Sequence, residues 1–173
     1  DTSQARDPTE IGEDYYVDIE RFIGSRFNDV IGGNASDNII EGGRGSDILT
    51  GGGGADTFVF EEPQGELTLV NMQPDVDTLA DFNTEEGDKI DLGKIHANIA
   101  EYGDQAFEFV GSRDFSGSAG ELRVFQTQQV DQSASTSDQW TIEADTNGDE
   151  IADFTVQVQG DFDYGLSVQD FVL

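Results

Sequence analysis

The sequence contains no cysteine, which excludes disulfides and thiolate metal sites. Basic residues are nearly as scarce: 8 lysines and arginines stand against 37 acids, for a net charge of −29. A nucleic acid or an anionic membrane surface is a poor partner for such a chain, because like charges repel. Long apolar runs are missing as well, and nothing approaches the roughly 20 residues that span a bilayer. The first ten residues, DTSQARDPTE, have none of the charge and apolar layout of a signal peptide.

Hydrophobic residues make up only 35%, near the level at which a highly charged chain stays unfolded. Folding therefore calls for cations. Catalytic signatures are also wanting: the one histidine, His96, stands outside any H-E-x-x-H zinc motif, and no G-x-S-x-G elbow is present. The chain reads as non-catalytic, with any active site of its parent protein upstream. Since residue 1 is Asp and not Met, a fragment or a processed product is expected.

What the sequence has in abundance is a repeat. From Gly24 to Val59 run GSRFNDVIG, GNASDNIIE, GGRGSDILT and GGGGADTFV, four nonapeptides with nothing between them. Each starts with Gly, the sixth place holds Asp29, Asn38, Asp47 and Asp56, and the eighth holds Ile31, Ile40, Leu49 and Phe58. A degraded fifth unit, YYVDIERFI, leads in, with Glu20 sixth and Phe22 eighth. A flexible linker has no reason to keep an apolar residue at that interval.

The glycine half of each unit makes a tight turn, since glycine reaches positive φ without a Cβ clash. The last three residues make a short strand whose eighth side chain points inward. Two units then form one coil, and residues 18 apart stack. Asp29 falls on Asp47 along one edge, and Asn38 on Asp56 along the other, with Glu20 beneath Asn38. At a strand spacing of roughly 4.8 Å facing carboxylates repel, and a hard divalent cation relieves them. Calcium, with 6 to 8 oxygens at about 2.3–2.6 Å, suits such a site better than magnesium. Carbonyls of Arg26, Gly43 and Gly45 are available to complete the shell. The Asp29/Asp47 edge is expected to be stronger than the edge weakened by neutral Asn38.

Arg26 and Arg44 hold the same place in stacked turns and, with Arg21 nearby, form a candidate ligand site. Downstream, Asp75, Asp77, Asp81, Asp88 and Asp91 cluster without a spacing rule and either close the roll or bind more calcium. Asp145, Asn147, Asp149 and Asp153 place oxygens as in an EF-hand loop. Glu150, however, stands where that loop wants Gly, and a polar hairpin turn is the simpler account.

Residues 1–14 read as a linker, 15–60 as the repeat block and 61–173 as a sheet-forming cap. Leu67 and Leu69 suggest a short strand, Lys94 to Ala100 a turn or two of helix, and Gln126 to Gln139 a polar loop. Period-two alternation at Phe107/Phe109, Leu122/Val124, Trp140/Ile142 and Phe154/Val156/Val158 predicts an antiparallel sheet.

The nonapeptide pattern is that of the calcium-binding repeats of RTX proteins. The ordered set GGADTFVF, DTLADF, GDKIDL, FEFVGSRDFSGSAGELRVFQ, DTNGDEIADFTVQVQG and DFVL resembles the C-terminal module of serralysin-type secreted metalloproteases. It is similar, too, to the R-modules of mannuronan C5-epimerases. The resemblance implies an all-β fold, a short parallel β-roll of calcium-binding repeats followed by an antiparallel β-sandwich cap. It implies several calcium ions, release from a Gram-negative bacterium through a type I secretion apparatus, and an upstream domain in the same protein. Asp170 to Leu173 is similar to the terminal export motif of the protease group, which would make this end the native C-terminus. As an alternative it implies a carbohydrate-binding module for an alginate-like polysaccharide, or an adhesin terminus. No nucleic acid and no membrane insertion are expected.

Overall fold

A computed structural model describes residues 19–61, 75–102, 105–128, 138–160 and 165–173. The expected linker at 1–14 and the strand at Leu67/Leu69 lie outside the described residues.

The first five strands are β1 (Arg21–Ile23), β2 (Val30–Asn34), β3 (Ile39–Glu41), β4 (Ile48–Gly52) and β5 (Thr57–Glu61). They alternate between two sheets, as two-unit coils require. Val30 pairs with Ile48 and Ile39 with Thr57, both parallel and both 18 residues apart. Arg21 pairs with Ile39 in the same way, so the degraded unit is a true coil member. Successive side chains of a strand point to opposite faces, so the sixth and eighth places share the inner face. Ile40, Leu49 and Phe58 are wholly buried there, and so are Asn38, Asp47 and Asp56.

The parallel pairing continues past residue 60. β6 (Val76–Leu79) joins β4, with Ile48 opposite Thr78, and β7 (Lys89–Lys94) joins β5, with Thr57 opposite Lys89. Both strands keep an Asp-x-apolar triplet, Asp77-Thr78-Leu79 and Asp88-Lys89-Ile90, after the glycine turn has gone. The coil has lengthened, but its inward chemistry is the same.

The remaining strands are β8 (Glu108–Gly111), β9 (Glu121–Gln128), β10 (Asp138–Asp145), β11 (Phe154–Gly160) and β12 (Phe171–Val172). They supply the antiparallel part of the all-β fold, joined to the roll by parallel pairings. β9, β10 and β11 pair antiparallel, but β11 lies parallel to β6, β8 parallel to β9, and β12 parallel to β7. The result is two continuous sheets, β1-β3-β5-β7-β12 and β2-β4-β6-β11-β10-β9-β8. One core runs between them, from Ile40, Leu49 and Phe58 through Leu79 and Ile90 to Leu122, Ile142, Val156 and Phe171.

Two local expectations are corrected, and the chain end is placed. Residues 94–100 contain no helix; β7 ends at Lys94, and turns follow in which Ile95 N–H donates to the Leu92 carbonyl and Glu101 N–H to that of Asn98. The polar stretch 126–139 is partly strand, since β9 extends to Gln128 and β10 begins at Asp138. The chain end is the edge strand of the five-stranded sheet, where the Phe171 ring packs 5.7 Å from Phe109.

Candidate metal centre

The stacked turns bring the inward carboxylates into two ladders. On one edge Asp29 N–H donates to Asp47 Oδ1 and Asp47 N–H to Asp77 Oδ1, each at 2.8 Å. On the other, Asn38 N–H donates to Asp56 Oδ1 at 2.8 Å and Asp56 N–H to Asp88 Oδ1 at 2.9 Å. Each carboxylate thus spends one oxygen on the coil before it. Asp77 and Asp88 are ladder members that the spacing of 18 could not find, because 30 and 32 residues separate them from Asp47 and Asp56. The Asp-x-apolar triplet was the usable signal. The first ladder stops at β11, where Val156 lies opposite Asp77.

The second oxygen separates the four turns into two kinds. In the first turn Asp29 Oδ2 accepts from Ser25 N–H (2.6 Å) and Ser25 Oγ (2.8 Å). In the second, Asn38 Oδ1 accepts from Asn34 N–H (2.8 Å). In the third and fourth, Asp47 Oδ2 and Asp56 Oδ2 are buried and have no hydrogen-bond partner. The difference lies in the second residue of the turn. Gly43 and Gly52 adopt φ of +96° and +99°, a conformation that Ser25 and Asn34 would resist. The amide that the first two turns hand to their own side chain is therefore turned elsewhere: Gly52 N–H donates to Asp81 Oδ2 at 2.9 Å, beside Gly51 N–H to Asp81 Oδ1 at 2.8 Å.

Glycine at the first place keeps the free oxygens where they are. A Cβ on Gly42 would lie 2.3 Å from Asp47 Oδ2, and one on Gly51 2.1 Å from Asp56 Oδ2. Each free oxygen sits in a cradle that any side chain would fill. A buried carboxylate oxygen without a donor is costly unless a cation meets it, and a hard divalent ion fits this donor set.

The electrostatics agree. Burial lifts Asp47 and Asp88 above the ordinary carboxylate range. It lifts Asp56 to about 6, with the charges of Asp88, Asp81 and Asp37 adding to it. It lifts Asp77 to about 7, helped by Asp47 and Asp75. In each case a backbone N–H works in the opposite direction without overcoming burial.

The other sequence candidates are distributed as follows. Glu20 takes its place under Asn38, its carbonyl accepting from Ile39 N–H at 2.6 Å. Gly45 N–H donates to Asp75 Oδ2 at 3.2 Å. Arg26 is exposed, its guanidinium 5.0 Å over the Phe27 ring, and Arg44 is exposed on the turn stacked against it, its N–H donating to the Ser25 carbonyl at 3.0 Å. Arg21 is paired with Glu41 at 3.1 Å, and Lys94 holds Glu41 and Glu61 together across the strands. The arginine ladder therefore has two exposed rungs, with Arg21 engaged in an ion pair.

Asp145, Asn147, Asp149 and Asp153 belong to the hairpin turn between β10 and β11. Asp145 Oδ1 accepts from Asn147 N–H (3.1 Å) and Gly148 N–H (2.6 Å), and Oδ2 from Glu150 N–H (2.8 Å). Asp153 Oδ2 accepts from Thr146 N–H and Oγ1, both at 2.8 Å. Glu150 adopts φ +67° at the place where an EF-hand loop has glycine. Backbone donors already brace this turn, which sets it apart from the turns at Asp47 and Asp56.

Stacked glycine turns, two ladders of inward carboxylates and a cradled free oxygen in the third and fourth turns define the chain as a β-roll with acid-lined turns. It belongs to the peptidase M10 serralysin C-terminal family, whose description matches residues 16–173. Among solved structures it is similar to the AlgE6R3 subunit of the mannuronan C5-epimerase from Azotobacter vinelandii, at 19% identity and a TM-score of 0.50. That likeness covers 92% of this chain and 86% of the other. No curated protein matches the chain in sequence.

Proposed function

We propose that this chain is a non-catalytic calcium-binding module that folds as calcium becomes available after type I secretion, and that it steadies or delivers an upstream domain of the same protein. The observation that carries the reading is the pair of buried, unpartnered oxygens at Asp47 and Asp56. Asp77 and Asp88 stand next in the ladders, and carbonyls of the turns at Gly43 and Gly45 are at hand to complete a calcium shell. Asp29, Asn38 and Glu20 stand earlier in the same columns and contribute more weakly, since the side chains of Asp29 and Asn38 are already engaged by their own turns. In a calcium-poor cytosol 37 acids against 8 bases oppose compaction. Outside the cell, calcium binds the folded form and stabilises it by mass action. Affinities of extracellular modules, about 10⁻⁴ to 10⁻³ M per site, are sufficient. The exported module would work at or near the surface of a Gram-negative bacterium, with Asp170 to Leu173 read by the export apparatus before β12 docks.

Circular dichroism during a calcium titration tests this. Strand signal that grows with calcium and falls in chelator to a smaller, less stable folded fraction is expected; full strand signal in excess chelator refutes the reading. Gly51→Ala provides a local check. Its Cβ would displace Asp56 Oδ2 and weaken calcium binding at least tenfold, whereas Gly53→Ala, whose Cβ meets nothing closer than 3.8 Å, leaves binding unchanged.

A second reading, a grip on an alginate-like polysaccharide, is favoured by the exposure of Arg26 and Arg44 on stacked turns. Calorimetry with alginate oligomers in calcium separates it: heat that disappears in Arg26→Ala with Arg44→Ala supports it, and absence of heat sinks it.

A further inference from the structure

The acids of this chain are unevenly spread. Across the outer face of the seven-stranded sheet, one row of paired positions crosses six strands: Val30, Ile48, Thr78, Gln157, Thr141 and Phe125. None is charged, in a chain with 37 acids. These residues alternate with Leu49, Leu79, Val158, Ile142 and Val124, all buried in the core, which fixes the row as outward; within it Thr141 is covered, its hydroxyl donating to Thr127 Oγ1 at 3.5 Å, so the accessible positions are the other five. The neighbouring row sets Gln159 opposite Gln139, whose carbonyl accepts from Thr127 Oγ1 at 3.2 Å. On the other side of the central row, Glu143 and Arg123 cancel each other at 2.6 Å. Thr127, Gln139, Gln157 and Gln159, together with Trp140, line a groove of about 230 Å³ at the β9-β10-β11 end of this face.

We propose that this face binds an uncharged polysaccharide, with one sugar unit seated in the groove and the chain running along the uncharged row. Each glutamine amide offers both donors and an acceptor, and threonine a hydroxyl that does both. A sugar hydroxyl needs the same pair. A cation finds no carboxylate in the row, and a polyanion is repelled by a molecule of charge −29. The groove is smaller than the about 300–1,000 Å³ of drug-sized sites, so it suits one small polar unit of a longer ligand. Six strands at roughly 4.8 Å spacing give a track of about 24 Å, enough for several units. A protein partner would want a buried apolar anchor at the centre of the contact, and the exposed aliphatics of the row, Val30 and Ile48, lie at the opposite edge of the sheet. This site goes beyond calcium binding and uses none of the carboxylate ladders.

The single tryptophan forms part of the groove wall while its side chain shares the inner face with Val158 and Ile142 and packs against the core, so retardation is the primary readout and its emission a secondary one. The calcium-loaded chain is titrated with hydroxyethylcellulose, galactomannan and dextran, and with alginate as the charged control, following Trp140 emission and mobility in affinity gels. At least one neutral polymer is expected to retard the protein and shift its emission; any retardation by alginate that disappears in Arg26→Ala with Arg44→Ala belongs to the arginine turns and not to this face. Gln139→Ala with Gln157→Ala should weaken that binding at least tenfold while calcium-dependent melting is kept, and Arg26→Ala with Arg44→Ala should leave it intact. No retardation by any of the three neutral polymers overturns the proposal, as does binding of alginate alone or full binding by the glutamine variant. Concentration-dependent dimerisation that the glutamine variant loses also overturns it, because the face would then be an interface between copies.

Discussion

Asp47→Asn combined with Asp56→Asn is expected to erase most of the calcium-induced gain in stability. At 10 mM calcium, sites of about 10⁻⁴ to 10⁻³ M contribute roughly 1.4–2.7 kcal/mol each. Two such sites give about 3–5 kcal/mol, or on the order of 10 °C in melting temperature for a chain of this size. The variant should melt within a few degrees of the same temperature with calcium and with chelator. Without calcium the expectation reverses. Asp47 and Asp56 carry a desolvation cost in their charged forms, so the asparagine variant should be at least as stable as the parent. A purely structural role for the two carboxylates would instead destabilise both conditions alike. Differential scanning calorimetry in the two buffers distinguishes these patterns.

The second large effect concerns pH. Asp56 and Asp77 titrate near 6 and 7 in the folded chain, and Asp47 and Asp88 are shifted the same way. A carboxyl whose folded pKa is raised holds its proton more tightly when folded. Its contribution is complete below the unfolded value of 3.8 and disappears as pH rises through about 6 to 7. For Asp56, moving from 3.8 to about 6 corresponds to about 3 kcal/mol as an order of magnitude. In chelator, the urea midpoint should therefore fall between pH 5.5 and pH 8. With 10 mM calcium the dependence should flatten or invert, since the ion binds the deprotonated ladder. A midpoint in chelator that rises with pH would contradict the buried-carboxylate account.

How much of this was legible in the sequence follows from where the pairings are local. The coil spacing of 18, the inward sixth and eighth places and the column of Glu20 under Asn38 could be read because adjacent units specify each other. Asp77 and Asp88 kept the inward triplet but lost the interval, and a count of nine could not reach them. The difference between the turns at Ser25 and Asn34 and those at Gly43 and Gly52 was written in single residues, but its effect on the free oxygen appears only once the backbone is built. Least legible was the fate of the second half. Period-two alternation identified the strands around Leu122, Ile142 and Val156, but it says nothing about neighbours. That β11 and β12 would extend the roll's own sheets depends on pairings such as Val76 with Thr155 and Ile90 with Phe171.

Those same two pairings govern how the molecule can form. A free solenoid of identical coils has mostly near-neighbour contacts, so folding can nucleate anywhere and propagate coil by coil. Here β6 and β7 receive their second partners from strands near the end of the chain. Closing those loops costs entropy before any contact rewards it, and high contact order places such chains toward the millisecond-to-second end of folding rates. The roll's two sheets are complete only once β11 and β12 are in place.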